Sequence, residues 1–140
     1  MRIMAIDYGD ARTGIAVSDP TGMLAGETFV IPEWDADRLC VKIRDEAKRR
    51  HVEKLVLGYP RNMDGTAGPR AEKCAAFGDM LREITGLSVV LWDERLTTVD
   101  AHRILSDVGK HGRKRKELVD AVAASLILEG YLASLSKEGK

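Results

Sequence analysis

The chain is short of cysteine and aromatic residues, carries no net charge, and has no long apolar run. Cys40 and Cys74 are its only cysteines, 34 positions apart. With no C-x-x-C pair and no Cys/His cluster, a structural zinc site is not expected, and the two read as small apolar fillers on helices in a reducing compartment. Aromatics are 5% of residues, too few for a broad base-stacking platform. The 22 basic and 22 acidic residues cancel, which excludes a cationic coat that binds nucleic acid or membrane by bulk charge. Any polyanion must be met by a local patch. The longest uncharged stretch, Ile84 to Trp92, has nine residues, whereas a membrane span needs about 20. The opening MRIMAID reaches a carboxylate too early for a signal peptide, so the expected location is cytoplasmic, with no membrane partner.

What is present is a globular composition, 44% hydrophobic and 31% charged over 140 residues. A chain this long buries roughly two-thirds of its unfolded surface without staples and suits one domain, here 1–140. Ile3 to Ile6 is a short apolar run ending at Asp7 and reads as a buried strand. Thr13–Ser18 and Thr28–Ile31 read as two more strands, separated by turn residues, and together these three predict an antiparallel meander. From Asp35 to His51 the apolar positions 36, 39, 40, 43 and 47 have helical spacing. Lys54–Gly58 is a fourth strand, a helix starts at Pro69, and Ser88–Trp92 is a fifth strand. Val99–Val108 reads as a short helix, Gly109–Lys116 as a polar loop, and Glu117–Leu135 as a final apolar helix. The strand–helix–strand units require parallel pairing with right-handed crossovers. The expected fold class is therefore α/β: a five-stranded mixed sheet, three strands antiparallel and then parallel strands with crossover helices.

Three carboxylates stand out. Asp7 follows directly on the first strand, and Asp93 and Glu94 follow on the fifth. If the first, fourth and fifth strands run parallel, these acids emerge at one carboxyl edge, where open α/β sheets place their sites. Acids also begin ordinary turns. Asp120 is the only charge among Leu118 to Leu128. It is either buried against the sheet, at a cost of several kcal/mol unless compensated, or placed in a first helical turn where the dipole contributes only about 0.3–1 kcal/mol. Converging to about 4 Å, each pair of carboxylates would repel by roughly 4 kcal/mol at an effective dielectric near 20. Such a cluster calls for shared protons or a cation, and an oxygen-only donor set selects Mg²⁺ or Mn²⁺, one or two ions. Two such ions about 4 Å apart suit in-line displacement at a phosphodiester.

The basic residues are grouped. Lys110, Arg113, Lys114, Arg115 and Lys116 lie in a stretch without acids just before the helix of Asp120, where they could hold a polyanion across the site or simply solvate a loop. Lys48-Arg49-Arg50 reads as the exposed end of an amphipathic helix balanced by Asp45 and Glu46. Arg61, in the glycine-containing loop after the fourth strand, could contact a phosphate. His51, His102 and His111 form no ligand spacing.

Four blocks, IDYGDARTGIAVSD (6–19), GYPRNMDGTAG (58–68), DERLTT (93–98) and ELVDAVAASLILEGYL (117–132), together resemble the YqgF family, also called RuvX, of Holliday-junction-resolvase-like proteins assigned to pre-16S rRNA processing. The resemblance spans nearly the whole chain. It implies a ribonuclease-H-like fold with the first strand central, and it implies that Asp7, Glu94 and Asp120 are the catalytic and metal-binding acids. Glu117 stands where related resolvases carry a fourth acid, one helical turn before the last. Arg12 and Arg95 fall inside motif blocks, either as substrate contacts or as partners of the acids.

The expected activity is thus metal-dependent phosphodiester hydrolysis in 5′-end maturation of the small-subunit ribosomal RNA precursor, that is, in ribosome biogenesis. The partner is nucleic acid: structured or single-stranded RNA, or branched DNA, bound by a monomer or homodimer. A Holliday junction resolvase and a non-catalytic nucleic-acid-binding module on the same fold are the alternatives. The first block also looks like the phosphate-binding hairpin of actin-like ATPases and sugar kinases, which need two such domains around a cleft.

Overall fold

A computed structural model of the chain describes residues 1–22, 25–62, 64–94 and 113–138. Five strands form one sheet: β1 (Arg2–Asp7), β2 (Thr13–Ser18), β3 (Ala25–Ile31), β4 (Val52–Tyr59) and β5 (Ser88–Asp93), in the spatial order β3-β2-β1-β4-β5. β1 pairs antiparallel with β2, and β2 with β3. β4 lies parallel to β1, and β5 parallel to β4. The mixed sheet with a central first strand is therefore the one expected. β3 is longer than its Thr28–Ile31 core, because Ala25 and Glu27 also find partners along β2.

The crossovers are α1 (Ala36–Arg49) and α2 (Pro69–Thr85), and α3 (Arg113–Glu138) follows β5 in the described chain. Asp35 caps α1, its Oδ1 accepting from the Arg38 backbone N–H at 3.0 Å. Pro69 opens α2, and Gly86 closes it at φ 72°, a left-handed conformation that glycine adopts without cost. Cys40 and Cys74 are buried free thiols on α1 and α2.

Two expectations need correcting. Arg113 to Lys116 belong to α3 rather than to a loop. Arginine and lysine are good helix formers, and no glycine or proline falls between Arg113 and Glu129, so the helix runs back to Arg113. Arg50 is not an exposed helix end, being only 16% exposed. Its guanidinium bonds Glu27 on β3 at 2.9 and 3.0 Å, pairs with Glu46, and lies over the Phe29 ring. An arginine with two carboxylate partners and an aromatic face gains more there than in water.

The sheet has two covered faces, and strand alternation sorts the residues between them. Met4, Ile6, Ile15, Val17, Leu55 and Leu57 pack with Leu39, Ile43, Phe77 and Leu81 of α1 and α2. Ile3, Ala5, Ala16 and Val56 pack with Ala124, Ile127, Leu128 and Tyr131 of α3, joined by Val90 and Trp92. Among the described residues, no helix is long and apolar enough to cross a membrane. The Val99–Val108 helix, Gly109 to Gly112, His102 and His111 lie outside the described residues.

Candidate active site

The alternation that builds the core also aims the acids. Ile3 and Ala5 face α3, so Asp7, two further along β1, carries the same parity to the strand's carboxyl end. Val90 and Trp92 face α3 on β5, and Glu94 continues that series. On α3 the buried stripe is Ala124, Ile127, Leu128 and Tyr131, and Asp120 lies one turn before Ala124 on the same stripe. Three separate stretches thus deliver one carboxylate each to the space between the sheet's carboxyl edge and α3.

Asp120 is the eighth residue of the helix, not part of its first turn. The dipole acts within that turn, so it does not account for Asp120. Asp120 is instead half-buried beside the sheet, 23% exposed, with its Oδ2 out of contact with solvent.

Two glycines let the acids approach. Gly14 pairs with Asp7 across β1 and β2. A Cβ there would come within 1.9 Å of the Asp120 carbonyl oxygen, so α3 rests on bare strand backbone at this point. Gly58 pairs with Trp92 across β4 and β5, and a Cβ there would lie 3.2 Å from Glu94 Cδ and 2.7 Å from Ile127 Cδ1. Neither glycine needs positive φ; at each the place of a Cβ is taken by the backbone or side chains of neighbouring elements.

The proximity has an electrostatic consequence. Asp7 is pushed up from 3.8 to about 7, first by burial, then by the Glu94 and Asp120 charges, with Arg70 acting in the opposite direction. Asp120 in turn has Arg12 Nε 3.2 Å from its Oδ2. Arg12 therefore holds an acid of the site. Among the described residues, no set of three or more His, Cys, Asp or Glu side chains is spaced to hold a metal ion, and Asp120 is directed at Arg12. In chemistry the donors, all carboxylate oxygens around an acid that resists ionisation, fit a hard divalent cation.

Of the expected nucleic-acid contacts, Arg61 is exposed in the loop after β4, its guanidinium 5.2 Å from the Tyr59 ring centroid. Arg95 and Lys110 lie outside the described residues, as do the side chains of Arg113, Lys114, Arg115, Lys116 and Glu117. Sequence reasoning missed Arg70. Its Nη2 donates to the Tyr8 carbonyl, one residue from Asp7, and its Nη1 to Asp10 Oδ1 at 2.9 Å. The available signal was its place beside Pro69, at the start of a helix that rises from the same sheet edge.

Comparisons with known proteins bear on this arrangement. A family model described as RuvX, Holliday junction resolvase, matches residues 1–134. The chain belongs to the RuvX family. Curated RuvX relatives carry the provisional name pre-16S rRNA nuclease. One from Halothermothrix orenii is 47% identical over 133 residues, covering 94% of each chain. One from Carboxydothermus hydrogenoformans is 43% identical, covering 98% of this chain and 99% of its own. Among solved structures, Thermus thermophilus RuvC in complex with a Holliday junction substrate superimposes with a TM-score of 0.63 at 15% identity, covering 97% of this chain and 96% of that one. The fowlpox virus resolvase with Holliday junction DNA gives 0.58 at 14% identity, covering 96% and 99%. The RuvX chain thus has the ribonuclease-H-like resolvase fold, as expected from its four motif blocks.

Proposed function

We propose that the protein is a divalent-metal-dependent nuclease that hydrolyses a phosphodiester bond in the small-subunit ribosomal RNA precursor during 5′-end maturation. The observation that carries this reading is the convergence of Asp7, Glu94 and Asp120 from β1, the end of β5 and α3, close enough that the other two acids raise the proton affinity of Asp7. No packing need explains three carboxylates on the apolar α3 side of the sheet, because leaving any of them there uncompensated is unfavourable. The names of the curated relatives supply the substrate.

Asp7, Glu94 and Asp120 would hold Mg²⁺ or Mn²⁺, one or two ions. When bound, such ions stabilise the attacking water oxygen and the leaving oxygen of an in-line displacement. The residues of the chain have separate tasks. Asp7, fixed at the end of the central strand, gives up its proton when a cation offsets its neighbours. Glu94 is steered by the absence of a side chain at Gly58. Arg12, paired with Asp120 at 3.2 Å, offsets the charge of that acid and orients its carboxylate. Arg61 and the basic residues 95, 110 and 113–116 would contact phosphates, which orient a strand but carry no sequence information.

The test is cleavage of a precursor 5′-leader RNA by the purified protein with Mn²⁺ or Mg²⁺, beside Asp7→Asn. Metal-dependent cleavage lost in the variant supports the reading. Equal cleavage by the variant, or none by either, overturns it. A second reading, a junction resolvase, draws on the family's own description. Preferential cleavage of a four-way DNA junction over RNA in the same assay would select it.

A further inference from the structure

Beside the acids lies a cluster that the proposed chemistry does not use. Asp10, in the turn between β1 and β2, is an exposed carboxylate, 72% accessible. One of its oxygens, Oδ1, accepts from two cations of α2: Arg70 Nη1 at 2.9 Å and Lys73 Nζ at 2.6 Å. Both cations also have contacts elsewhere. Arg70 Nη2 donates to the Tyr8 carbonyl. Arg70 and Lys73 lie 5.1 and 5.9 Å from the centroid of the Tyr8 ring, and that ring is stacked on Phe77 at 4.0 Å with its plane tilted by 4°. Arg70 is thus anchored one residue from Asp7 by a hydrogen bond independent of Asp10, and Lys73, 53% exposed, lies beside the same ring.

A single carboxylate oxygen bridging a guanidinium and an ammonium has the geometry of a phosphate oxygen at the same pair. The better-held partner is Arg70, with Lys73 one turn along the same helix. The exposed partner, on a turn, is the acid, and exposed pairs of this kind are weakly held. We propose that Arg70 and Lys73 form a phosphate subsite for the nucleic-acid strand next to the reacting position, and that Asp10 occupies this subsite as an internal stand-in which the incoming phosphodiester displaces. The inference rests on the nuclease reading, since it assumes a strand laid across Asp7. It adds two contacts and a built-in competitor that makes the empty site less attractive to anions generally. With Asp10 in place, the three groups carry a net single positive charge. With Asp10 displaced, the strand meets two.

A simple structural ion pair and a displaceable stand-in differ in the sign of one result. Removing the Asp10 charge should strengthen nucleic-acid binding, whereas loss of a merely structural pair should leave binding unchanged or weaken it. The experiment is fluorescence anisotropy of a labelled single-stranded RNA oligonucleotide with the full chain in EDTA, so that no cleavage intervenes, across a series of salt concentrations. Asp10→Asn is expected to tighten binding about three- to tenfold, the range for two exposed charge pairs. Arg70→Met and Lys73→Met should each weaken it and flatten the slope of log affinity against log salt by about 0.7. In the Arg70→Met/Lys73→Met background, Asp10→Asn should have no further effect. Arg70→Lys, which keeps the charge, should retain most of the salt slope and guards against a folding defect, with thermal melts of all forms as a check. Unchanged or weaker binding by Asp10→Asn overturns the proposal, as does an unaltered salt slope in the two methionine variants. Wild-type binding that none of these substitutions alters refutes the subsite while leaving the nuclease reading standing. RNA binding by no form of the protein in EDTA refutes the subsite, and the cleavage assay with Mn²⁺ or Mg²⁺ decides the nuclease reading separately.

Discussion

Replacing Asp7 by asparagine should make the metal-free protein more stable at alkaline pH, although Asp7 is the central residue of the proposed site. Its carboxyl holds a proton up to about pH 7 in the folded chain, against 3.8 for the unfolded reference. An acid with a raised folded value contributes its stability fully below pH 4, and that contribution drains away as pH climbs towards 7. The difference of about three units is worth about 4 kcal/mol at 1.36 kcal/mol per unit. Water on the open side of the site screens part of this, leaving about 2–4 kcal/mol. Asparagine has the same shape and no charge, so the variant avoids the penalty at every pH. The two proteins should therefore unfold alike below about pH 4, and the gap between them should open steadily from there to about pH 7. By pH 8 the variant should lead by about 2–4 kcal/mol, on the order of 6–15 °C in melting temperature for a domain of this size. Urea unfolding in EDTA at pH 4.5, 6.5 and 8 measures the divergence. Asp10, Glu27 and Glu33 are held below their ordinary values by Lys73, Arg50 and Lys42, and they drive the opposite trend, losing stability as pH falls. Both proteins share these groups, so the difference between them isolates Asp7. Adding millimolar Mn²⁺ at pH 8 should stabilise the wild type and leave the variant unmoved, since only a native state that binds the ion gains from it. A variant less stable than wild type at pH 8, or an offset equal at all three pH values, would refute the crowding of acids on which the site rests.

Other substitutions probe the supports of the site. Gly14→Ala puts a methyl group 1.9 Å from the Asp120 carbonyl, which backbone cannot yield without moving α3; a loss of at least about 3 kcal/mol in urea unfolding is expected. Gly58→Ala meets only the tip of Ile127 at 2.7 Å and the Glu94 carboxyl at 3.2 Å; it should cost about 1 kcal/mol of stability but reduce cleavage far more than that, because Glu94 must shift. Arg12→Ala leaves Asp120 beside two other acids without its partner; metal-free stability at pH 8 should fall by about 1 kcal/mol, and the fall should shrink when Mn²⁺ is added. Arg50→Met, which keeps the stem over Phe29 but strips the charge from Glu27 and Glu46, should cost about 1–2 kcal/mol at pH 7 and less in 1 M salt.

Much of the architecture was legible because it follows from periodicity. Short unbroken apolar runs such as Ile3–Ile6, helical spacing from Asp35, and the strand–helix–strand order leave few topologies open, and the observed sheet is the expected one. The acids were legible as types placed at strand ends. The start of α3 was misread because a run of basic residues looks like a loop, although lysine and arginine propagate a helix well. Arg50 was misread because its carboxylate Glu27 sits on a different strand, 23 residues away. Arg70 was missed for the same reason: its partners Tyr8 and Asp10 are about 60 residues earlier in the chain.

The amino-acid sequence by itself determined which residues could be catalytic acids, that Asp7 and Glu94 end two strands, and that both emerge at one carboxyl edge if those strands run parallel. What only the tertiary structure decided is that Asp7 and Glu94 continue the strand faces that α3 covers, that α3 settles onto Gly14 with no side chain between, that Arg12 pairs with Asp120, and that Arg70 bonds the backbone beside Asp7. The reason is physical. Local periodicity is written in neighbouring residues, but the closeness of charges depends on how two surfaces meet, and the missing side chains at Gly14 and Gly58 acquire their meaning only once something occupies the space they leave.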